Sequence, residues 1–313
     1  MIDRDRVSEA LQTILQSDEH FPLLMRNASR VGFRFGEEVF LLEMDAEQGR
    51  VGLEHHASAQ GLDPELWVEI APEALFARAF EGRQATGFRI QTGPRGQVLH
   101  PSMERLIARI IEGGDAARHP LSDREDLIYP ALFGFGEPQP VWQQAGGGVQ
   151  VLRFAGAYEG RDAWVSSGLS DPARGPSPLE IEGFRPAVAG YELVLFAAPE
   201  DAVLGQQLAG WVDYVCQTRS HILQGSWLEY AEGRIPQTSL SGFLVVPPIT
   251  IPDRFPLQDG IVHWSLLLGA TGQEIEVAKE SSVIDIAQAL FDAGWIDFST
   301  AHRESVVPGS MHR

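Results

Sequence analysis

The segment Tyr191-Glu192-Leu193-Val194-Leu195-Phe196 constrains the fold of this chain more than any other. Strand alternation puts Tyr191, Leu193 and Leu195 on one face and Glu192, Val194 and Phe196 on the other. A strand this apolar on both faces must be covered on both sides, so it belongs at the centre of a sheet. If Glu192 is buried there, it requires a hydrogen-bonding partner. The next element supplies cover: Leu204, Leu208, Trp211, Val212 and Val215 form the apolar stripe of an amphipathic helix.

The surrounding pattern extends this core. Val149 to Phe154, Ala163 to Ser166, Phe243 to Pro248 and Val262 to Gly269 read as strands, and Ser282 to Ala293 as a helix before Gly294-Trp295-Ile296-Asp297. Gly168 permits a tight turn from which Leu169-Ser170-Asp171 departs, and the stretch to Pro186 reads as an irregular loop. The order of elements implies a mixed-sheet α/β domain flanked by helices.

The N-terminal third reads as a separate α+β unit. Val7, Leu11, Ile14 and Leu15 open a helix; Val31 to Phe35 and Val39 to Leu42 flank a turn at Gly36 as a hairpin. Val51 to His55 and Leu66 to Ile70 add strands, Pro72 starts a helix through Phe80, Thr86 to Gln91 is a strand, and a helix from Pro101 presents Met103, Leu106, Ile107, Ile110 and Ile111. The turn formers of 112–120 mark a linker, which gives domains at 1–112 and 121–299 and a frayed tail at 300–313. Within the second domain, Gly134, Gly136, Pro138, Pro140 and Gly146-Gly147-Gly148 read as breakers before the first strand.

At 313 residues and 44% hydrophobic composition, the chain is long enough for two folded domains. It has no run of eighteen apolar residues and no apolar segment after the charged start Met1-Ile2-Asp3-Arg4, so no membrane insertion and a cytoplasmic location are expected. The formal charge of −19 repels nucleic-acid phosphates and favours either plain solubility or docking of a basic partner. A single cysteine, Cys216, excludes an internal disulfide and a thiolate metal cluster, and its apolar surroundings make it a small core residue.

The usual fingerprints of catalysis are missing. There is no Gly-x-Ser-x-Gly, His-Glu-x-x-His or phosphate-binding loop, so no catalytic residues, metal or cofactor are assigned, and a hydrolase with an unrecognised site is the residual enzymatic reading. Glu54-His55-His56 is the best metal candidate, but neighbours on a strand point to opposite faces. His221 and His263 are isolated, Asp123, Glu125 and Asp126 fit a helix start, and Asp285 and Asp292 fit a solvated helix face. Trp142, Trp211, Trp227, Trp264 and Trp295 form no stripe and read as core or rim aromatics, and Ser166 and Ser170 read as turn-shaping hydrogen bonders.

Trp164-Val165-Ser166-Ser167-Gly168-Leu169-Ser170-Asp171, followed by Gly190-Tyr191-Glu192-Leu193-Val194-Leu195 and a helix rich in Leu and Ala, resembles the core signature of the suppressor of fused family. The likeness runs over 121–299. It implies a protein-binding module in which Gly168, Leu169, Ser170, Tyr191 and Glu192 form the structural signature. In the animal member, the strand bearing the aromatic residue and the Gly-Leu-Ser-Asp turn contacts a transcription-factor peptide; the matching positions here are Trp164, Ser166 and Asp171, with core packing the equal alternative for Trp164. Bacterial members of this family resemble immunity proteins that neutralise a cognate toxin, and an acidic chain suits a basic toxin. The domain that follows in the animal member has no counterpart here, so its signalling role is not implied. The order of elements in 1–112, with Leu66 to Glu73 leading into a helix, is similar to the sterol carrier protein type 2 fold and implies the alternative function of a small-molecule or lipid carrier, with the C-terminal domain regulatory.

Overall fold

In the computed structural model, residues 3–17, 24, 30–45, 50–94, 101–113, 124–134, 136–171, 188–257 and 260–307 are described. The chain divides into two units, Met1–Phe135 and Gly136–Arg313, each combining helices with a mixed sheet.

The first unit runs α1 (Arg4–Ser17), β1 (Arg30–Phe35), β2 (Glu38–Asp45), β3 (Arg50–His56), β4 (Leu66–Glu69), α2 (Pro72–Glu81), β5 (Arg89–Thr92) and α3 (Pro101–Glu112). Its sheet has the order β3-β2-β1-β4-β5, antiparallel except where β4 lies parallel to β1. The hairpin turns at Gly36, whose φ of +67° suits glycine. Val7, Leu11 and Ile14 of α1, Leu75 of α2 and Leu106, Ile107 and Ile110 of α3 are buried, and the three helices pack on one another. On the sheet, the Trp67 ring lies across Gly32, where an added Cβ would sit 2.3 Å from the indole, and the Arg34 guanidinium stacks 3.9 Å from the same ring.

This unit runs past the 112–121 boundary read from the sequence. A π-helical turn, Arg124–Ile128, leads into α4 (Tyr129–Phe133), all five of whose residues are buried, and α4 packs against α3. Apolar burial therefore ties the segment to the first core. The expected linker beyond Gly113, the expected domain start Leu121 and Asp123 lie outside the described residues, as does the loop 172–187.

The second unit comprises β6 (Gln139–Gln143), β7 (Gln150–Tyr158), β8 (Arg161–Ser167), β9 (Val188–Ala197), α5 (Ala202–Thr218), β10 (Trp227–Glu229), β11 (Gly242–Val246), β12 (Arg254–Leu257), β13 (Gly260–Ala270), α6 (Gly272–Glu280), α7 (Val283–Asp292) and β14 (Phe298–Ser299). The main path of its nine-stranded sheet is β10-β11-β13-β9-β8-β7-β6, with β12 paired to β13 and β14 to β9. The apolar strand β9 is central, antiparallel to β8 and parallel to β13. Helix α5 packs across β7, β8 and β9, burying Leu204, Leu208, Val212 and Val215 with Trp164, Leu193 and Leu195. Strand β6 falls among residues read as breakers; Pro140 is accommodated there because β6 is an edge strand and its pairing shifts register between Pro140 and Trp142. Helix α6 starts at a capping box of Thr271 and Glu274, a signal that local apolar periodicity did not reveal.

The segment expected to fray is instead fastened as far as Val306, whose N–H donates to Glu274 at 2.9 Å. Ala301 N–H donates to Asp201 at 3.0 Å, and Arg303 forms a buried bidentate pair with Glu274, both contacts 2.6 Å, while also donating to the Gly269 carbonyl. Burial would push the Glu274 carboxyl up, but Arg303 and the N–H groups of Val306 and Thr271 hold it below the ordinary carboxylate range. Residues 308–313 lie outside the described part.

Two glycines of α5 give opposed predictions. A Cβ at Gly205 would lie 2.1 Å from Trp164 Nε1, whereas one at Gly210 meets nothing within 4 Å. Alanine is worth about 1 kcal/mol over glycine inside a helix, but overpacking a core costs about 1–3 kcal/mol. Gly205→Ala should therefore lower the unfolding free energy and Gly210→Ala raise it, as read by denaturant titration. Equal effects of the two would contradict this packing.

Candidate functional site

Glu192 is fully buried on β9, and the Gly-Leu-Ser-Asp turn folds around its carboxylate. Oε1 accepts from Gly168 N–H at 3.0 Å, Ser170 N–H at 3.0 Å and Ser170 Oγ at 2.6 Å; Oε2 accepts from Ser166 Oγ at 2.6 Å. Ser166 Oγ in turn accepts from Leu193 N–H at 2.7 Å, so its own proton is directed to Glu192. This is the pattern of an acceptor-only carboxylate with both oxygens engaged.

The turn needs its glycine for two reasons. Gly168 has φ +109°, and an added Cβ would lie 2.1 Å from the Gly148 carbonyl oxygen. Asp171 N–H closes back on the Gly168 carbonyl at 3.2 Å. Gly190 at φ +144° passes close enough to the turn that a Cβ there would sit 3.0 Å from Ser170 Cα. Leu169 enters the hydrophobic core of the unit.

The positions expected to touch a partner face inward instead. Trp164 is 2% exposed, held between β8 and α5; Ser166 is fully buried in the Glu192 network; Asp171 is 5% exposed. Burial of all three makes their side chains part of the folded unit, so they are not an accessible contact surface. Of the five signature residues, Gly168, Ser170 and Glu192 share one hydrogen-bond network, while Leu169 and Tyr191 enter the hydrophobic core.

Tyr191, adjacent to the carboxylate, points to the opposite face and accepts from Ile222 N–H through its hydroxyl at 3.0 Å. Burial pushes its phenol up to about 12, with the nearby Glu192 charge acting in the same direction and the Ile222 bond opposing both. His221 packs its ring against Tyr191, and burial holds both His221 and His263 below the usual histidine range. Cys216 is half-buried beside the same core, and burial pushes its thiol up.

No metal centre is assembled among the described residues. His55 Nε2 pairs with Glu38 at 3.2 Å, while His56 Nε2 lies 3.5 Å from Glu54. Of the isolated tryptophans, Trp264 is fully buried and Trp227 is 40% exposed. No helix among the described residues is long and apolar enough to cross a membrane.

The sequence model of the suppressor of fused protein (SUFU) family matches residues 147–304. Among solved structures, the chain is similar to a suppressor of fused homologue from Neisseria gonorrhoeae FA 1090, at 16% identity over 58% of this chain and 93% of that one, with a TM-score of 0.42. A chain of the Sufu-Fu complex is similar at 17% identity, over 59% and 90% of the two chains, with a TM-score of 0.42. Drosophila Suppressor of Fused is similar at 18% identity, over 50% of this chain and 42% of its own, with a TM-score of 0.36. No curated protein sequence matches the chain.

Tyr191 makes alkaline stability a test of this core. An unfolded tyrosine ionises near pH 10, whereas Tyr191 in the fold holds its proton to about 12. Its contribution is therefore complete below about pH 10 and is lost as pH rises through about 12. The difference in stability between the wild type and Tyr191→Phe, measured in urea at pH 9 and pH 11, should shrink at the higher pH. A difference that stays constant would show that Tyr191 titrates as an exposed phenol does.

Proposed function

The chain belongs to the suppressor of fused family, and from that premise we propose that it is a non-catalytic protein-binding module acting in the cytoplasm. The observation that carries this reading is the coincidence of the family match, 147–304, with a unit whose signature polar groups are engaged in holding a turn against the sheet. Ser166 and Ser170 each donate a hydroxyl to Glu192, so these groups are engaged in holding the turn. A rigid scaffold that presents surrounding surface to another protein is consistent with this chemistry.

Within that class, the reading is a bacterial immunity protein that neutralises a basic toxin by covering its surface. The formal charge of −19 supports it, because complementary charge speeds encounter with a cationic protein and disfavours acidic competitors. Co-expression with a toxin encoded beside this chain should restore growth, and the two should co-purify at moderate salt and separate as salt is raised. Growth arrest despite stable expression, without co-purification, would remove the immunity reading.

A further inference from the structure

Glu192 and Glu274 have both carboxylate oxygens engaged; Asp297 leaves Oδ1 without a hydrogen bond, and so does Asp201. It is 9% exposed, and Oδ2 accepts from Ala301 N–H at 3.0 Å, while Oδ1 takes no hydrogen bond from any described residue. Asp201 lines a cleft of ≈ 650 Å³ between the start of α5, with Glu200 and Gln207, the loop carrying Pro236 and Gln237, and His302 of the fastened C-terminal segment. A second hollow of ≈ 560 Å³ adjoins it, shares Pro236, Gln237 and His302, and is bordered by Glu232 and Arg234. Arg234 is turned onto the Thr238 carbonyl.

We propose that this cleft receives an arginine side chain of the protein partner. A guanidinium presents five N–H donors in a plane and needs several acceptors. Asp201 Oδ1, the Glu200 carboxylate and the amide oxygens of Gln207 and Gln237 supply them; Asp201 Oδ2 is already held by Ala301 N–H, which fixes the carboxylate in place. Covering Asp201 Oδ1 with a partner that brings no donor would be costly, so an incoming cation fits where an apolar or acidic group does not. The inference rests on the protein-binding reading above and names the surface and residue chemistry by which it would recognise a partner.

The test is amide-shift NMR on the full chain, titrated with the acetylated, amidated peptide Gly-Gly-Arg-Gly-Gly and its citrulline and lysine counterparts. The arginine peptide should give saturable shifts confined to Gln207, Gln237, His302 and their neighbours, weaker for lysine and absent for the uncharged citrulline. Asp201→Asn keeps an acceptor for Ala301 N–H but removes the charge; it and Glu200→Gln should each weaken binding about three- to fivefold without lowering Tm. Equal response to citrulline, or unsaturable shifts scattered over the acidic surface, would overturn the proposal. Should Asp201→Asn lower Tm, Gln237→Arg, whose added charge opposes the ligand from an exposed loop, must abolish the shifts or the proposal fails. If Gln237→Arg leaves toxin rescue intact, the cleft is not the recognition site although the binding reading stands; if the wild type itself fails to rescue, the immunity reading fails independently.

Discussion

The C-terminal unit depends on how a carboxylate in the middle of its sheet is satisfied. A buried, ionised side chain without donors is among the most costly features a core can carry. Glu192 meets that demand with the N–H groups of Gly168 and Ser170 and the hydroxyls of Ser166 and Ser170. These four donors come from the end of β8 and the turn after it, so satisfying the charge also fixes where the chain leaves the sheet. Glycines at 168 and 190 are needed because the turn, the Gly148 carbonyl and β9 approach one another more closely than a side chain allows. In this chain the signature acts as a folding device: the carboxylate, its donors and the two glycines are parts of one arrangement.

Two other arrangements keep this core unique. Trp164 is seated against α5 through the absent side chain of Gly205, which fixes how closely the helix lies on the sheet. Arg303 and Glu274, buried as a bidentate pair, fasten the segment after β14 to the cap of α6. Breaking such a pair by removing one partner typically costs about 3–5 kcal/mol, since the remaining charge stays buried. The same segment carries His302 and Ala301 to the mouth of the Asp201 cleft, so the ion pair also shapes the surface proposed for recognition.

Much of this was legible in the sequence because it depends on local pattern. Period-two alternation locates β9 and the apolar stripe locates α5, whereas Glu192 reads only as a residue that needs a partner if it is buried. What stayed hidden depends on contacts between distant residues. Trp164, Ser166 and Asp171 sit beside a turn and invite reading as a contact surface, yet the pairing of β8 with β9 and the cover of α5 turn them inward. The frayed tail was misread because Arg303 gains its partner 29 positions away. Pro140 disguises an edge strand, and the sequence of 121–128 carries no apolar period that would mark Tyr129 to Phe133 as part of the first core. Asp201 carries no distinguishing sequence signal at all; only the return of Ala301 marks it.

The central physical claim is that the Gly-Leu-Ser-Asp turn is held by the Glu192 carboxylate as part of the cooperative core. Native-state hydrogen exchange at the Gly168 and Ser170 amides tests it most directly. Both should exchange only through global unfolding, and Glu192→Gln, which replaces one accepting oxygen with a donor, should reduce their protection by about 1–3 kcal/mol. Rapid exchange of these amides in the folded wild type, unchanged by Glu192→Gln, would contradict it.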